Sequence, residues 1–345
     1  MRKQKHSIRI GIDLMGSDSS PEVLFEAALE AVNYLQPSDR LILFAPKGKL
    51  AALQRLCAHD PRKASLEWSE APQEILMEDH PLEAVRHKPF SSMMVGLQFL
   101  KEKKLDGFVS AGNTGALIFG SVLNIAMLPG IERPALVITM PTETGNVAIV
   151  DAGGNLTCKV DHYVQFAQLG AVFQRCMRGI ACPAVGLLNV GVEPLKGHPE
   201  LRKAYQHLCE YTQNFASMGV KRPFSFLGNV EGRDIFQGKI DVVVTDGFTG
   251  NILLKACEGI AALIFNKFHK MLQPYQISGL ESSVDEMQRF FNYTEYPGAL
   301  LCGLENVVIK CHGNVTNQSM LNCILGAVGL IKNRLIHQMQ QHFKS

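Results

Sequence analysis

Short apolar runs alternate with longer stretches whose apolar residues recur at helical spacing through the first part of the chain. Pro21 stands where a helix can begin, because proline fits the first helical turn. Strands are predicted at 7–14, 40–45, 64–68 and 107–110. Helices are predicted at 22–35, 49–58, 81–87, 91–103 and 114–127.

The second part of the chain continues this alternation with one exception. Apolar runs at 135–140 and 147–150 flank a polar segment, Pro141 to Asn146, which predicts a hairpin and an antiparallel pair. Further strands are predicted at 184–190, 224–227, 241–245 and 306–310. Helices are predicted at 163–175, 200–214, 250–272 and 317–341.

Strands that alternate with helices predict βαβ units with right-handed crossovers. The expected fold class is α/β, a three-layer αβα, Rossmann-like arrangement around a mostly parallel sheet with an antiparallel portion. No flexible linker divides the chain, so residues 1–345 are expected to form a single α/β catalytic unit. Within it, 250–300 is expected to include a protruding helical subregion.

Glycine-rich polar loops follow many of the predicted strands. The clearest is Ser110-Ala-Gly-Asn-Thr-Gly-Ala116, which lies between a strand and a helix. Free N–H groups and the positive end of the helix dipole favour an anion at such a turn. The alternative is a purely structural turn. Comparable loops occur at 11–16, 150–155, 188–191, 227–232 and 245–251.

The charge balance argues against binding to nucleic acid through bulk electrostatics. The 345 residues include 34 Lys and Arg against 32 Asp and Glu, a formal net charge of +2. The 9 cysteines include no Cys-x-x-Cys pair, which is typical of reduced thiols in a cytoplasmic protein. No secretory signal is predicted, and no window of about 18 apolar residues predicts a membrane span.

Several common site motifs are absent from the sequence. It has no Walker motif, no Gly-x-Gly-x-x-Gly after the first strand, no Gly-x-Ser-x-Gly elbow and no zinc-type spacing of histidine and cysteine. No metal and no cofactor are therefore expected. Loops rich in N–H donors instead suit a phosphate and a developing oxyanion.

Several long motifs, in order, resemble the phosphate acyltransferase of bacterial phospholipid synthesis, the PlsX family. The most specific blocks are Gly228-Asn-Val-Glu-Gly-Arg-Asp234 and Asp241-Val-Val-Val-Thr-Asp-Gly-Phe-Thr-Gly-Asn251. The segment Leu82 to Met94, followed by Val109 to Leu117, is similar to the same family, and the resemblance runs from about Ile8 to about Ile324. The sequence departs from the family pattern at Ser17, Thr157 and Asn314.

The resemblance implies transfer of a fatty acyl group from acyl carrier protein to inorganic phosphate, which gives acyl phosphate for phosphatidic acid synthesis. It also implies a fold like that of isocitrate and isopropylmalate dehydrogenases, a homodimer, and a downstream glycerol-phosphate acyltransferase. The expected location is cytoplasmic, with peripheral contact at the inner face of the cell membrane as a further expectation.

Candidate site residues follow from the demands of that reaction. The predicted catalytic residues are Lys196, Asn113 and His312. Arg86 and Lys88 are predicted to meet the carrier protein. The predicted substrate-binding residues are Asp13, Gly16, Ser110, Gly112, Thr114, Gly115, Asn229, Asp246, Gly247 and Thr249.

Several of these assignments have a structural alternative. Lys196, Arg86 and Lys88 could be solvated surface cations, and His312 could be a structural loop residue. Asp13 and Asp246 could cap local turns. The apolar stretch at 252–272 could shape an acyl channel, a dimer surface or a membrane contact, or it could be a core helix.

Three other functions are alternatives. One is a phosphate acetyl- or butyryltransferase that uses acyl-coenzyme A. Another is a dehydrogenase of the isocitrate type, which would need clustered carboxylates for a metal and a nicotinamide site. The last is a binding protein without catalysis.

Overall fold

The computed structural model describes residues 7–217, 222–272, 284, 287 and 298–344. Two compact units divide the chain. Unit 1 comprises Met1–Pro134 with Pro297–Ser345, and unit 2 comprises Ala135–Tyr296. The helical subregion predicted within 250–300 lies partly outside the described residues, since most of 273–297 is beyond them.

The described residues form eleven strands and ten α-helices, named in chain order. The strands are β1 (Arg9–Asp13), β2 (Arg40–Ala45), β3 (Leu66–Glu70), β4 (Gly107–Ser110), β5 (Ala135–Thr142), β6 (Gly145–Val150), β7 (Ala184–Leu188), β8 (Ser225–Val230), β9 (Val242–Val244), β10 (Ala299–Cys302) and β11 (Val307–Lys310). The helices are α1 (Pro21–Ala31), α2 (Lys47–Leu56), α3 (Pro81–His87), α4 (Ser92–Lys101), α5 (Thr114–Asn124), α6 (Val160–Arg178), α7 (Pro199–Ser217), α8 (Gly247–Leu272), α9 (Asn317–Lys332) and α10 (Leu335–Lys344).

Unit 1 contains the strands in the order β3-β2-β1-β4-β11-β10. All neighbours are parallel except β10, which is antiparallel to β11. The central strands β1, β2, β4 and β11 are buried almost throughout. Strands that are covered on both faces need continuous apolar sequence, which explains why these segments do not alternate between apolar and polar residues.

Unit 2 contains the strands in the order β5-β6-β9-β7-β8. β5 and β6 form the predicted antiparallel hairpin, with Thr142 paired to Gly145 at its turn. The remaining pairs are parallel. The helices that follow β6, β7 and β9 are α6, α7 and α8. In both units the sheet is mostly parallel and is flanked by helices, which confirms the predicted α/β fold class.

Strand β10 was not predicted from the sequence. It is only four residues long and lies between Gly298 and Gly303, both of which have positive φ. From the local sequence alone, glycines on both sides of a short apolar run indicate a loop. The pairing of Ala299 with Lys310 across β11 makes this segment a strand, and that pairing is a tertiary contact.

The closing helix is shorter than the sequence predicted. One helix was expected over 317–341, but α9 ends at Lys332 and α10 begins at Leu335, with a bend of 49° between them. Arg334 adopts the left-handed conformation, with φ of 56°. The apolar periodicity continues across this break, so the pattern alone could not reveal it.

Helix α8 is unusually apolar and exposed. It is long and apolar enough to cross a membrane. Helices α9 and α10 would be so too if the bent pair formed one span. Only 17% of the tested α8 window is buried inside the protein. Ile260, Leu263 and Phe268 are among its exposed side chains. Length and composition alone do not distinguish a span from an apolar surface helix.

Candidate functional site

Three polar residues end three neighbouring strands of unit 1. Asp13 ends β1, Ser110 ends β4 and Lys310 ends β11. The strands are parallel, and Ser110 is the register partner of both Asp13 and Lys310. The three residues, called the strand-end row below, therefore lie side by side at the carboxyl edge of the sheet, where open α/β sheets bind ligands.

Hydrogen bonds tie the row together and lead into the following loop. The Ser110 hydroxyl donates to Asp13 Oδ2 at 2.7 Å, and the Gly112 N–H donates to Ser110 Oγ at 3.1 Å. The Met15 N–H donates to Asp13 Oδ1 at 3.1 Å, and Ser92 also hydrogen-bonds this carboxyl group. Ser110 thus connects the buried carboxyl group to the glycine-rich loop.

Two ionisable groups of the row are buried. Asp13 is 1% exposed and Lys310 is 7% exposed. Burial raises the pKa of Asp13 to about 6, although its hydrogen bonds and the Lys310 charge favour the ionised form. The Lys310 ammonium donates to the carbonyl oxygens of Ala111 and Cys311. Lys310 was not among the predicted site residues.

The N-terminus of helix α5 follows this row. Asn113 is the N-cap residue, and its Oδ1 accepts from the Ala116 N–H at 3.0 Å. The N–H groups of Thr114 and Gly115 have no acceptor among the residues that the structure describes. Both residues are half-buried. Unused N–H groups at the positive end of a helix are suited to bind an anion.

The Asn113 side-chain amide donates hydrogen bonds as well as accepting one. Its Nδ2 donates to the carbonyl oxygens of Met77 and Asp79 at 3.0 Å each and to that of Leu76 at 3.4 Å. The side chain therefore fixes the segment 76–79 against the start of α5. This geometry gives Asn113 a positioning role at the loop.

Two glycines of the site are required by close approach. A Cβ at Gly16 would lie 2.1 Å from the Ile75 carbonyl oxygen, and Gly16 has φ of 70°. A Cβ at Gly115 would lie 2.6 Å from Pro81 Cγ, at the start of α3. Any larger residue at either position would displace the chain beside the strand-end row.

The other predicted residues of unit 1 lie at the surface. His312 is exposed, and its Nδ1 accepts from the Asn314 N–H at 3.2 Å. Arg86 is exposed in the last turn of α3. Lys88 forms an ion pair with Asp79, and this contact lowers the pKa of the Asp79 carboxyl group. Lys88 therefore also holds the segment 76–79.

Unit 2 has its own polar loops after β6, β9 and β7. Asp151 follows β6, is fully buried and accepts from the backbone N–H groups of Leu136, Gly153, Gly154 and Asn155 and from the Asn155 side-chain amide. Burial raises the pKa of Asp151, while these donors oppose that effect. A carboxylate with so many donors organises the loop 151–155.

Asp246 directly precedes helix α8. Its Oδ1 accepts from the Thr249 N–H at 2.7 Å, so it caps the first turn, and its Oδ2 lies 3.5 Å from the Tyr163 hydroxyl. Burial, and then the Asp246 charge, raise the pKa of Tyr163. Gly247 is buried, and a Cβ there would lie 2.7 Å from the Asn155 carbonyl oxygen, so this loop packs directly on 151–155.

The Lys196 loop follows β7. The side chain of Lys196 is exposed and has no ion-pair partner within the described part of the chain. Its backbone is fixed, because the Asn189 Nδ2 donates to the Lys196 carbonyl oxygen at 3.1 Å. Asn229 Nδ2 donates to the Glu193 carbonyl oxygen at 2.8 Å, while its buried Oδ1 has no partner among the described atoms. This loop therefore presents a free ammonium group.

An apolar cavity of about 380 Å³ lies elsewhere in unit 2. Most of its walls come from β5, the 3₁₀-helical segment that holds Phe236, and one face of α8. Its apolar lining includes Met140, Pro141, Phe236, Ile260, Ile264 and Phe268, and Glu258 also lines it. Cavities of this size hold small apolar groups.

Sequence reasoning missed several residues that the structure places in these clusters: Ser92, Asp151, Tyr163 and Lys310. A lysine at the end of a buried apolar strand was the available signal for Lys310, because an unpaired buried cation is rare. Asp151 had a weaker signal, a carboxylate directly after the β6 run. No group of three or more histidine, cysteine or acidic residues suited to a metal ion is found in the described ranges.

Comparison with known proteins gives a consistent result over nearly the whole chain. A family described as "Fatty acid synthesis protein" matches residues 8–338. The chain is 37% identical over 333 residues to a phosphate acyltransferase of Chlamydia abortus, covering 96% of this chain and 98% of that protein. It is 38% identical over 347 residues to a phosphate acyltransferase of Thermoanaerobacter pseudethanolicus, covering 98% of each.

Solved structures resemble the fold at much lower identity. The EutD phosphotransacetylase from Staphylococcus aureus superimposes with a TM-score of 0.59 at 15% identity, covering 94% of each chain. A putative 4-hydroxythreonine-4-phosphate dehydrogenase from Salmonella typhimurium gives a TM-score of 0.53 at 12% identity, covering 94% of this chain and all of that one. At such identities the likeness concerns the fold alone.

Proposed function

The chain belongs to the phosphate acyltransferase family, acyltransferases of fatty acid and phospholipid synthesis that transfer an acyl group to phosphate, and we propose that its donor is a fatty acyl thioester of acyl carrier protein. The alternative donor is acyl-coenzyme A. On this proposal the product is a fatty acyl phosphate, which a glycerol-phosphate acyltransferase consumes in phosphatidic acid synthesis.

The reaction needs no covalent enzyme intermediate. An oxygen of hydrogen phosphate attacks the thioester carbonyl carbon, the C–S bond breaks, and the proton that phosphate loses ends on the departing thiolate. The protein must hold the phosphate, orient the thioester and stabilise the oxyanion of the tetrahedral intermediate. One oxyanion donor typically contributes about 3–4 kcal/mol to transition-state stabilisation.

The observation that supports phosphate as the acceptor is the pair of unused N–H groups at the start of α5. The Thr114 and Gly115 donors follow the strand-end row and lie beside Ser110 and Gly112 in sequence. In this proposal they bind the phosphate or the thioester oxygen that it attacks. Lys310 acts as a positioning residue, because its ammonium holds the carbonyl oxygens of the loop that leads to them.

Lys196 supplies positive charge to the phosphate or to the intermediate in this proposal. Its fixed backbone and its free ammonium group support that role. Asp246, Gly247 and Thr249 shape the loop at the start of α8, and Asn229 offers a buried acceptor for a donor group of the substrate. His312, exposed on its loop, is the remaining candidate acid or base.

The apolar cavity of unit 2 is proposed to receive part of the acyl chain, because its walls are apolar and it is bounded by α8. Arg86, exposed on α3, is proposed to meet the acidic surface of the carrier protein. Lys88 is less available for that contact because it already pairs with Asp79.

A cytoplasmic homodimer that contacts the membrane peripherally is the proposed working form. The support for it is the exposed apolar surface of α8, since apolar patches of this kind mark surfaces that bind a protein partner or a lipid surface.

Release of free thiol tests the donor and the acceptor together. We expect palmitoyl-acyl carrier protein to release thiol only when phosphate is added, and palmitoyl-coenzyme A to be a much poorer donor under the same conditions. Release without phosphate would contradict the transfer reaction. Equal use of both donors would contradict only the choice of carrier protein.

Lys196→Ala tests the proposed positive charge. We expect kcat/KM for phosphate to fall by about 10²-fold, the usual effect of removing one stabilising group. Lys196→Arg should retain part of the activity because it keeps the charge but changes its geometry. Lys239→Ala, which removes an exposed lysine of the same unit, is the control and should be unchanged. Equal activity of the two alanine variants would remove Lys196 from the site.

A further inference from the structure

Unit 1 contains a second cavity, of about 700 Å³, at the edge of the sheet opposite the strand-end row. Asp106, directly before β4, and Val307, the first residue of β11, line it, whereas those strands end at Ser110 and Lys310. At about 3.3 Å per residue, the strands separate the cavity from the row by roughly 10 Å. The cavity is therefore distinct from the proposed catalytic site, and its size is typical of small-molecule sites.

Part of the cavity lining is apolar and accessible. It is formed by Ala126, which is exposed, and by Ile331 and Ile336, which are half-buried. Such a wall suits a hydrocarbon chain, because burial of apolar surface is favourable in proportion to its area.

The rim of the cavity is basic. Lys101, Lys103 and Arg334 line it, all three are exposed, and none has an ion-pair partner among the residues that the structure describes. The lining also contains two carboxylates, each of which accepts a hydrogen bond. Asp106 Oδ2 accepts from the Arg9 N–H at 2.8 Å, and Glu305 Oε1 accepts from Gln340 Nε2 at 3.3 Å. The three cations without an ion-pair partner outnumber these two carboxylates, so the rim keeps a positive charge for an anion.

Two of these cations occupy an unusual backbone conformation. Lys103 and Arg334 both have φ of 56°, and they are the non-glycine residues with positive φ in the described part of the chain. Each follows the end of a helix: Lys103 N–H donates to the Leu100 carbonyl oxygen after α4, and Arg334 N–H donates to that of Ile331 after α9. Glycine usually occupies this position.

The same chain uses glycine where other helices end. Gly179 follows α6 with φ of 70°, and Gly238 follows the 3₁₀-helical segment Gly232–Gln237 with φ of 75°. A basic residue could satisfy the negative end of a helix from within the last turn, without positive φ. At the two helix ends beside this cavity, Lys103 and Arg334 instead occupy a left-handed backbone conformation that is unfavourable for residues with a side chain. Such a costly conformation points to a function of the two side chains.

We propose that this cavity binds a single-chain amphiphile with an anionic head. The apolar wall holds the hydrocarbon chain, and Lys103 and Arg334 bind a carboxylate or phosphate head at the rim. Both heads occur on fatty acyl compounds, as free fatty acids or as phosphate esters and anhydrides. This binding does not depend on the transfer reaction, because the cavity lies at the other edge of the sheet.

Isothermal titration of the full-length protein with dodecyl phosphate and with dodecanoate, each below its micellar concentration, tests the proposal. We expect saturable binding, and the tighter of the two ligands identifies the head. In the variant Lys103→Gly/Arg334→Gly, affinity should fall by about tenfold or more, since each charge-assisted contact contributes on the order of a tenfold factor. Its Tm should be unchanged or raised, because glycine suits both positions.

The control variant is Lys49→Ala/Arg55→Ala, which removes two exposed cations from α2 of the same unit and should bind like the wild type. Any amphiphile bound elsewhere in the protein is common to all variants, so the difference reports this cavity. Equal affinity of the glycine variant and the wild type would overturn the proposal. Dodecanol binding as tightly as the two anions, or no saturable binding of either anion, would also overturn it.

Discussion

Asp13 and Lys310 are two buried ionisable residues that flank Ser110 in one row. Asp13 has hydrogen bonds from Ser110, Met15 and Ser92, and the Lys310 ammonium is bound to two carbonyl oxygens. Burying charges is costly unless each is well hydrogen-bonded. The cost has not been fully offset at Asp13, whose pKa is raised to about 6 by burial.

The raised pKa of Asp13 makes a prediction about stability. Its folded pKa lies above its ordinary value, so the folded state binds the proton more tightly, and ionisation on raising the pH from about 4 to above 6 weakens the fold. A shift of roughly two units corresponds to about 3 kcal/mol. The free energy of unfolding of the wild type, measured relative to Asp13→Asn, should therefore fall by about this amount across that range.

Denaturant unfolding at a series of pH values would measure this difference. Glu78→Gln is the matched control, because it removes an exposed carboxylate of the same unit and should track the wild type. If the difference in free energy of unfolding between the wild type and Asp13→Asn were the same at all pH values, burial would not raise the pKa of Asp13.

At the scale of elements, helix α5 is positioned by its own N-cap. Asn113 caps the first turn and at the same time holds the segment 76–79 by three carbonyl oxygens. The Asn113 Oδ1 accepts from the Ala116 N–H and not from those of Thr114 and Gly115, so these two N–H groups remain available. The same side chain thus fixes the loop before α3 and the proposed anion site.

Asn113→Ala should lower the free energy of unfolding by about 1–2 kcal/mol, because it removes the cap and the donor to three part-buried carbonyl oxygens. It should also raise KM for phosphate more than it lowers kcat. Asn113→Ser is the companion variant, since serine keeps a capping oxygen but cannot reach 76–79. If the two variants were equally destabilised, the cap would contribute nothing, and the effect would belong to the tether alone.

Much of this element-scale arrangement was predictable. The apolar runs located β1, β2, β4 and β11, and the polar turn located the β5–β6 hairpin, because buried parallel strands and hairpins leave local patterns. Strand β10 and the break between α9 and α10 left none. The first depends on pairing with β11, and the second interrupts an apolar periodicity that continues on both sides.

At the scale of the whole molecule, the surface of α8 is the clearest feature. Ile260 and Leu263 are 59% and 58% exposed on a helix that is largely unburied. Exposed apolar patches on soluble proteins usually mark a contact surface. The proposed homodimer and the proposed lipid contact both draw on this surface, and the same side chains cannot serve both at once.

Sedimentation at micromolar concentration tests the dimer. The wild type should sediment as twice the chain mass of 38.0 kDa, and Ile260→Lys/Leu263→Lys should sediment as a monomer because the charges oppose burial. Tyr34→Lys/Leu56→Lys, which changes two exposed apolar residues elsewhere, is the control. A variant that stays dimeric but no longer floats with liposomes at low salt would assign the surface to lipid contact instead.

The amino-acid sequence by itself determined the α/β class, most strands and helices, the glycine-rich loop at Ser110 and the resemblance to phosphate acyltransferases, because these depend on local periodicity and on contiguous motifs. Only the tertiary structure decided that Asp13, Ser110 and Lys310 form one row, and that Lys103 and Arg334 face one cavity. These residues are far apart in the chain, and only the pairing of parallel strands and the packing of helix ends bring them together.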